Sequence, residues 1–343
     1  MIVILIMLFG AMIVSLKIHR QGLDKEYLSK ENTQAIKGIF TIIVFLSHVR
    51  TYVEYSHVTD LFVIDFLNYL GQLMVAMFLF YSGYGISESI KRKGYMYVQS
   101  MPRNRIGKTF FDFALAICIF LLVNPFIGAK YSLVDIILSF TGWTTVGNSN
   151  WYMFAIFTLY ILTFLCFLLW KNNRWIALVS MTICSLGYVY IMSLLKENWW
   201  SSTYLCYSAG MWYSYYKDKI DKVLGKSNII YYAVTIGCII CYGYMFQFRY
   251  VRLLLFNAVA ILFSLVIVLI SMKISFKSKI LVWCGKYLFW IYILQRIPMR
   301  IFAHIGVNEY NPYIYLFLCF LVTLVLAVVV NKGADELKKK IWM

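Results

Sequence analysis

Long apolar runs separated by short polar segments make up almost the whole chain. A helix that crosses the hydrocarbon core of a bilayer, which is about 30 Å thick, needs roughly 20 mostly apolar residues. Only 4 prolines are present to interrupt such runs. The pattern therefore predicts an all-α membrane protein, a polytopic helical bundle of about eleven transmembrane helices. The predicted spans are residues 1–16, 35–54, 61–88, 109–129, 151–170, 175–195, 200–216, 228–246, 251–272, 281–303 and 312–331.

The composition of the chain favours lipid over water as its solvent. Hydrophobic residues make up 62% and charged residues 14% of the sequence, whereas soluble domains carry about a quarter charged residues. Surface-to-volume scaling leaves a soluble domain too little interior to bury so much apolar surface. We therefore expect one membrane domain rather than two soluble ones.

The positions of the basic residues predict the orientation of this bundle. The net charge is +17, and most of the 32 Lys and Arg lie in the loops after odd-numbered spans and in the tail. Because basic loops face the cytosol, we expect the N-terminus outside and the C-terminus in the cytosol of a bacterial cell membrane. Charge placed in this way argues against nucleic-acid binding. The opposite loops hold mainly Lys130, Lys196, Arg249 and Arg252.

The second predicted span carries two ionisable residues. Lys37 and His48 are eleven residues apart, which is about three helical turns, so their side chains share one face about 16 Å apart along the axis. Ionisable groups inside a bilayer are costly and commonly functional, and histidine is the side chain best suited to moving protons near neutral pH. A histidine bonded to a neighbouring helix and a lysine that anchors the cytosolic helix end explain the same residues without chemistry.

The third predicted span ends in a segment that contains two glycines. Gly83 and Gly85 flank Tyr84 and follow Ser82. Glycines on a membrane helix permit close approach of a neighbouring helix and can also break the helix near a site. The segment therefore indicates either helix packing or a site.

A basic loop follows the third span. Arg103, Arg105 and Lys108 either mark it as cytosolic or clamp the phosphates of an anionic ligand. Further polar residues at predicted membrane depth are Asp65, Asn68, Gln72, Asp112, Asn124, Gln295 and Arg296. Arg296 lies toward the outer half of its span and could face the same interior as His48.

Five segments correspond, in the same order along the chain, to motifs of one known family. Residues 35–48 are similar to a signature with a basic residue before a His on a membrane helix, and residues 78–84 to an F-F-x-x-S-G-Y segment. Residues 103–108, 151–154 and 284–294 are similar to its R-x-x-R, W-F-L and G-x-x-S-x-x-I-Y-L segments. The chain thus resembles the acyltransferase-3 family of membrane O-acyltransferases.

The chain departs from this family at three positions and carries one extra helix. Lys37 stands where Arg is usual, Tyr287 where Ser is common, and Gln295 where the late motif usually has His. The resemblance implies a ten-helix core. The expected layout is an extra N-terminal helix with its cytosolic loop over residues 1–30, an acyltransferase-3-like membrane domain over 31–332 and a short basic tail over 333–343.

The resemblance implies transfer of an acyl group, commonly acetyl from acetyl-CoA, to a hydroxyl of a cell-surface polysaccharide or glycan precursor. His48 would act as general base or as acyl carrier. The residues expected to bind the acyl donor are Lys37, Arg103, Arg105 and Lys108. The residues expected to line the pocket are Ser82, Tyr84, Trp151, Tyr292, Gln295 and Arg296. Of these, Tyr84, Gln295 or Arg296 would donate to a developing oxyanion.

The partners expected for such an enzyme are acyl-CoA, a polysaccharide or lipid-linked glycan acceptor, and membrane lipid. A second copy of the chain is a further option, and no nucleic acid and no metal are expected. A transporter or flippase for a lipid-linked glycan explains the polar interior equally well. It does not predict the pair of Lys37 and His48, and the inverted repeats common in transporters are not visible in the sequence.

Overall fold

The structure is a computed structural model that describes residues 1–20, 22–55 and 57–342. Apart from two short strands, β1 (Leu16–Ile18) and β2 (Ile274–Phe276), its regular elements are helical. The α-helices are α1 (Ile2–Val14), α2 (Lys30–Val49), α3 (Val58–Leu70), α4 (Leu73–Lys93), α5 (Tyr95–Met101), α6 (Lys108–Val123), α7 (Leu133–Ser139), α8 (Trp151–Leu169), α9 (Arg174–Leu195), α10 (Leu205–Leu224), α11 (Asn228–Phe246), α12 (Leu253–Ser271), α13 (Lys279–Lys286), α14 (Leu288–Leu294), α15 (Arg296–His304), α16 (Val307–Tyr310) and α17 (Pro312–Trp342).

The prediction of a polytopic helical membrane protein is confirmed, but the predicted number of spans is too high. Among the described residues, 8 helices are long and apolar enough to cross a membrane, or 9 if the bent segment from α13 to α15 is one span. Two of the predicted spans, 1–16 and 200–216, have no counterpart among these membrane-crossing helices. Helix α1 has 13 residues, which is about 20 Å at 1.5 Å per residue. The second half of α10 is too strongly charged.

The predicted span over 61–88 consists of two helices. Helix α3 ends at Gly71, where φ is +48°, and α4 begins two residues later. Glycine takes this left-handed backbone conformation without the steric clash that a Cβ would bring. The sequence did not reveal the break because apolar residues continue on both sides of it. Helix α4 then runs without interruption past Gly83 and Gly85, so these two glycines do not break it.

The predicted span over 281–303 is also broken. The axes of the segments Lys279–Lys286 and Leu288–His304 differ by 63°. The last helix is longer than predicted, since α17 continues beyond residue 331 to Trp342. The region expected to form the basic tail is therefore helical as far as the structure describes it.

Glycines bring two pairs of helices into close contact. A Cβ at Gly38 of α2 would collide with the Leu281 carbonyl oxygen of α13. A Cβ at Gly83 of α4 would collide with the Tyr207 carbonyl oxygen of α10. Small residues at such crossings let helix backbones approach closely in membranes. The interpretation that Gly83 allows close helix packing is therefore confirmed. A Cβ at Gly85, in contrast, would meet no neighbouring atom within 4 Å.

The bundle has two ends that differ in charge. We call the end at which α2 begins the basic end. There β1 pairs antiparallel with β2, and Lys91 in the last turn of α4 contacts Asp218 on α10 at 2.9 Å. We call the end at which α2 finishes the far end. There the Asn308 side chain donates to the Tyr52 carbonyl oxygen at 2.8 Å.

Candidate active site

Helix α2 holds the two ionisable residues that its sequence places on one face. Ser29 caps the helix by accepting a hydrogen bond from the Asn32 N–H at 3.3 Å, and α2 then continues unbroken to Val49. Lys37 lines a large cavity toward the basic end, and His48 lines a small pocket toward the far end. Both side chains therefore border internal spaces.

The cavity around Lys37, which we call the basic-end cavity, has a volume of about 670 Å³. Helices α2, α4, α6, α8 and α14 supply most of its wall. Its lining residues are Leu28, Lys30, Thr33, Lys37, Phe78, Tyr81, Ser82, Tyr84, Gly85, Glu88, Ser89, Arg92, Arg105, Thr109, Asp112, Tyr152, Met153, Ile156, Tyr160, Leu288, Phe289 and Tyr292. The wall is thus rich in aromatic groups and carries basic residues, which suits a ligand with apolar and anionic parts.

Only two of the four residues predicted to bind an acyl donor line this cavity. Lys37 and Arg105 do, whereas Arg103 and Lys108 do not. Arg103 donates instead to the Trp342 carbonyl oxygen at 3.2 Å. Residues two apart on a helix do not face each other, which separates Arg103 from Arg105. The chain here forms a wide π-helical turn, and its i→i+5 bonding carries Lys108 off the face of Arg105.

Two further basic residues line the basic-end cavity, and sequence analysis did not select them. Lys30 lies seven residues before Lys37 on α2, and Arg92 lies seven residues after Gly85 on α4. A spacing of seven returns a helix to nearly the same face. Helical periodicity extended from Lys37 and Gly85 could therefore have identified both.

The two carboxylates of the cavity are already engaged. Asp112 pairs with Lys338 of α17 at 2.9 Å, and Glu88 accepts a hydrogen bond from the Ser214 hydroxyl at 2.8 Å. The four basic residues of the wall exceed these two carboxylates in number. The cavity therefore favours an anionic ligand.

The His48 pocket is much smaller, about 50 Å³ in volume. Its lining residues are Val44, Ser47, His48, Gly71, Gln72, Met74, Val75, Trp151 and Tyr292. Tyr292 borders both this pocket and the basic-end cavity, and its ring centroid lies 6.1 Å from that of His48. The two spaces are therefore neighbours with Tyr292 between them.

Gln295 fixes the imidazole of His48. Its Nε2 lies 2.9 Å from Nδ1 of His48 and also donates to the Tyr292 carbonyl oxygen at 2.9 Å. Because an amide nitrogen donates and cannot accept, this arrangement gives Nδ1 the lone pair and places the imidazole proton on Nε2. The Gln295 side chain is fully buried, and its Oε1 has no partner within the described part of the chain.

The other residues predicted to line the pocket are divided between the two spaces. Ser82 and Tyr84 border the basic-end cavity, and Trp151 borders the His48 pocket. Arg296 borders neither; its Nε donates to the Ser149 hydroxyl at 3.0 Å. One residue along a helix is a rotation of about 100°, and Gln295, not Arg296, makes the hydrogen bond to His48. A role for Arg296 at His48 stays a prediction.

Comparison with protein families identifies the chain. The family model described as an acyltransferase domain, acyltransferase 3, matches residues 32–332. No curated protein and no solved structure matches the sequence significantly. The match covers most of the chain and includes α2 with Lys37 and His48, as well as α14 with Tyr292. The chain therefore belongs to the acyltransferase 3 family of membrane acyltransferases.

Proposed function

We propose that this protein is an O-acyltransferase that moves an acyl group, most simply acetyl, from acyl-CoA to a hydroxyl of a cell-surface polysaccharide or glycan precursor. The observation that carries the proposal is the contiguity of two spaces. A large cavity with basic walls and a small pocket with a histidine share Tyr292. Family membership favours this enzyme over the transporter that the polar interior alone would also suit.

The basic end faces the cytosol in this proposal, because basic loops favour that side. Acyl-CoA enters the basic-end cavity from there. Lys37 and Arg105 bind its phosphates, together with Lys30 and Arg92, since Arg and Lys form charge-assisted hydrogen bonds with phosphate. The pantetheine arm follows α2 past the aromatic wall and brings the thioester to His48, about 16 Å along the helix axis from Lys37.

His48 then serves the transfer in one of two ways. As general base, it takes the proton of the acceptor hydroxyl while the hydroxyl oxygen attacks the thioester carbon. The carbon–sulfur bond breaks, and the departing thiolate takes the proton back from the imidazolium. As acyl carrier, a His48 nitrogen attacks first and releases CoA, and the hydroxyl then displaces the imidazole. Both routes give the same ester and free CoA.

The contact with Gln295 bears on the first route. General-base action through Nε2 requires the imidazole proton on Nδ1. Rotation of the Gln295 amide supplies this state, because Oε1 then accepts from Nδ1–H. The rotation gives up the hydrogen bond to the Tyr292 carbonyl oxygen. Oε1 loses nothing, since it has no partner among the residues described.

The experiment that tests the proposal compares two histidine variants in cells that lack the chromosomal gene. We expect His48→Ala to abolish acetylation of surface polysaccharide, measured as released acetate. His304→Ala is the matched control, because His304 is exposed on α15 and should leave acetylation intact. Membrane insertion of both variants is checked by immunoblot, and binding of acetyl-CoA by the purified proteins. Full acetylation by inserted His48→Ala would disprove the assignment.

A further inference from the structure

A second large cavity lies at the far end of the bundle. It has a volume of about 520 Å³ and is bordered by the corner between α3 and α4, the segment before α10 and the segment before α12. Lys196, Arg249 and Arg252 line it, and Glu197 is the one carboxylate among its described lining residues. We call it the far-end cavity. Its wall carries a formal charge of +2.

The basic residues of the far-end cavity have no acidic partner. None of the three forms an ion pair in the portion of the chain that the structure describes. Nζ of Lys196 lies 4.1 and 4.8 Å from the ring centroids of Trp143 and Trp200, so aromatic faces hold this ammonium in place.

Arg249 is held in a similar way. Its guanidinium lies 3.7 Å from the ring centroid of Phe246, and NH1 donates to the Phe246 carbonyl oxygen at 2.8 Å. Its Nε is buried and unpartnered within residues 1–20, 22–55 and 57–342. A buried N–H without a partner is costly. The described residues therefore leave part of the donor capacity of Arg249 unused.

Membrane anchoring alone does not account for this grouping. The loops at the far end hold few basic residues, mainly Lys130 and the three that line this cavity. Interfacial anchors reach the lipid headgroups individually from separate helix ends. Three that converge on one cavity, with aromatic groups fixing two of them, favour an anionic ligand instead.

The far-end cavity adjoins the His48 pocket. Gly71 and Gln72, at the corner between α3 and α4, line both spaces. The positive φ of Gly71 makes this corner possible. His48 is therefore bordered by the basic-end cavity through Tyr292 and by the far-end cavity through Gly71 and Gln72.

We infer that the far-end cavity binds a phosphate ester of the acceptor, and that this contact presents a nearby acceptor hydroxyl to His48. The inference rests on the proposed function. A phosphate monoester carries close to two negative charges near neutral pH and a diester carries one, so either suits a wall with a formal charge of +2. Arginine also presents a planar fork of donors that fits phosphate. The ester belongs either to a lipid carrier or to the glycan itself.

The test uses purified full-length protein in phosphatidylcholine nanodiscs, with binding measured by calorimetry. The probes are farnesyl phosphate for a lipid carrier, glycerol 3-phosphate for a glycan phosphate and glucuronate for a carboxylate anion. We expect a phosphate ester to bind more tightly than glucuronate. Preference for farnesyl phosphate would assign the lipid carrier, and preference for glycerol 3-phosphate would assign the glycan.

Variants locate the binding site. Arg249→Gln and Lys196→Gln should each weaken binding of the phosphate ester by about tenfold, the scale of a lost charge-assisted hydrogen bond. Lys130→Gln is the matched control, because Lys130 is an exposed far-end lysine outside the cavity, and it should bind as the wild type does. If a cavity variant fails to fold, the comparison of probes on the wild type still decides between phosphate and other anions.

Four results would overturn the inference. They are absence of phosphate-ester binding by the wild type, glucuronate binding of equal strength, equal weakening by Lys130→Gln, and displacement of farnesyl phosphate by phosphatidylglycerol in the nanodisc, which would make the cavity a lipid headgroup site. Acetyl-CoA binding by the same preparations separates this inference from the proposed function. Acetyl-CoA binding without phosphate-ester binding would defeat the inference alone, whereas loss of both would count against the proposed function as well.

Discussion

The two ends of α2 border very different spaces. Around Lys37 the cavity measures about 670 Å³ and has several basic residues, whereas the pocket around His48 measures about 50 Å³. A volume of 50 Å³ holds only a few water molecules. From this difference in volume we expect the basic-end cavity to bind a large anionic donor. The His48 pocket should exclude water from the transfer. Variants at the two ends should therefore change different kinetic constants.

The largest effect after loss of His48 itself is expected at Gln295. Gln295→Leu should lower kcat by about 100-fold, within the range usual for a mispositioned acid–base group, because the imidazole loses the contact to Nδ1. The KM for acyl-CoA should stay within about twofold, since Gln295 is absent from the wall of the basic-end cavity.

Gln295→Glu sharpens this prediction. A carboxylate accepts from Nδ1–H and places the lone pair on Nε2, so this variant should keep much of the activity that Gln295→Leu loses. Steady-state kinetics on purified protein provide both constants. Equal activity of Gln295→Leu and the wild type would show that the contact has no positioning role.

Intermediate effects on kinetics are expected at Lys37 and Arg105, which line the basic-end cavity. Lys37→Gln and Arg105→Gln should each raise the KM for acyl-CoA by about tenfold with little change in kcat, because each removes a contact to phosphate that is the same in ground and transition states. The effect should shrink at high salt. Arg103→Gln is the control, since Arg103 contacts Trp342 outside the cavity. A KM raised by Arg103→Gln alone would reverse the assignment of the two arginines.

A smaller effect is expected at the ion pair in which Lys338 neutralises the Asp112 carboxylate of the cavity wall. Lys338→Gln should raise the KM for acyl-CoA by about threefold, because it leaves the Asp112 carboxylate unpaired in a wall that binds an anion. Asp112→Asn in the same chain should restore the KM, since the two substitutions act through one contact. Kinetics of the single and double variants test this coupling, and additive effects would refute it.

The sequence predicted the helices well because long apolar runs leave few alternatives in lipid. It also put Lys37 and His48 on one face, because periodicity along a single helix is local information. The breaks at Gly71 and near Tyr287 escaped detection. Apolar runs flank both breaks, and contacts with other helices help to decide where such a run bends.

Contacts between distant segments were the least predictable part of the site. Gln295 reaches His48 across 247 residues, and the sequence offered Arg296 as an equally good neighbour. The choice between them depends on the rotation of α14 and α15, which packing against α2 and α17 determines. Arg92 was overlooked for a related reason, since a basic residue at a helix end is already explained by topology.

The smallest effect is expected at Lys91, which precedes Arg92 in sequence but lies outside the basic-end cavity. Lys91→Gln should leave the KM for acyl-CoA unchanged, whereas Arg92→Gln should raise it.

The hydrogen bond and charge of Lys91 hold the pKa of Asp218 below its ordinary value of 3.8. A lowered pKa stabilises the fold above that value, and the contribution disappears as pH falls through the folded-state pKa. Because Asp218 is 80% exposed, Lys91→Gln should lower Tm by at most about 2 °C at pH 7, and the difference should shrink as the pH falls below 3.8 and through the folded-state pKa. A Tm difference that persists in acid would show that Lys91 acts through packing and not through its charge.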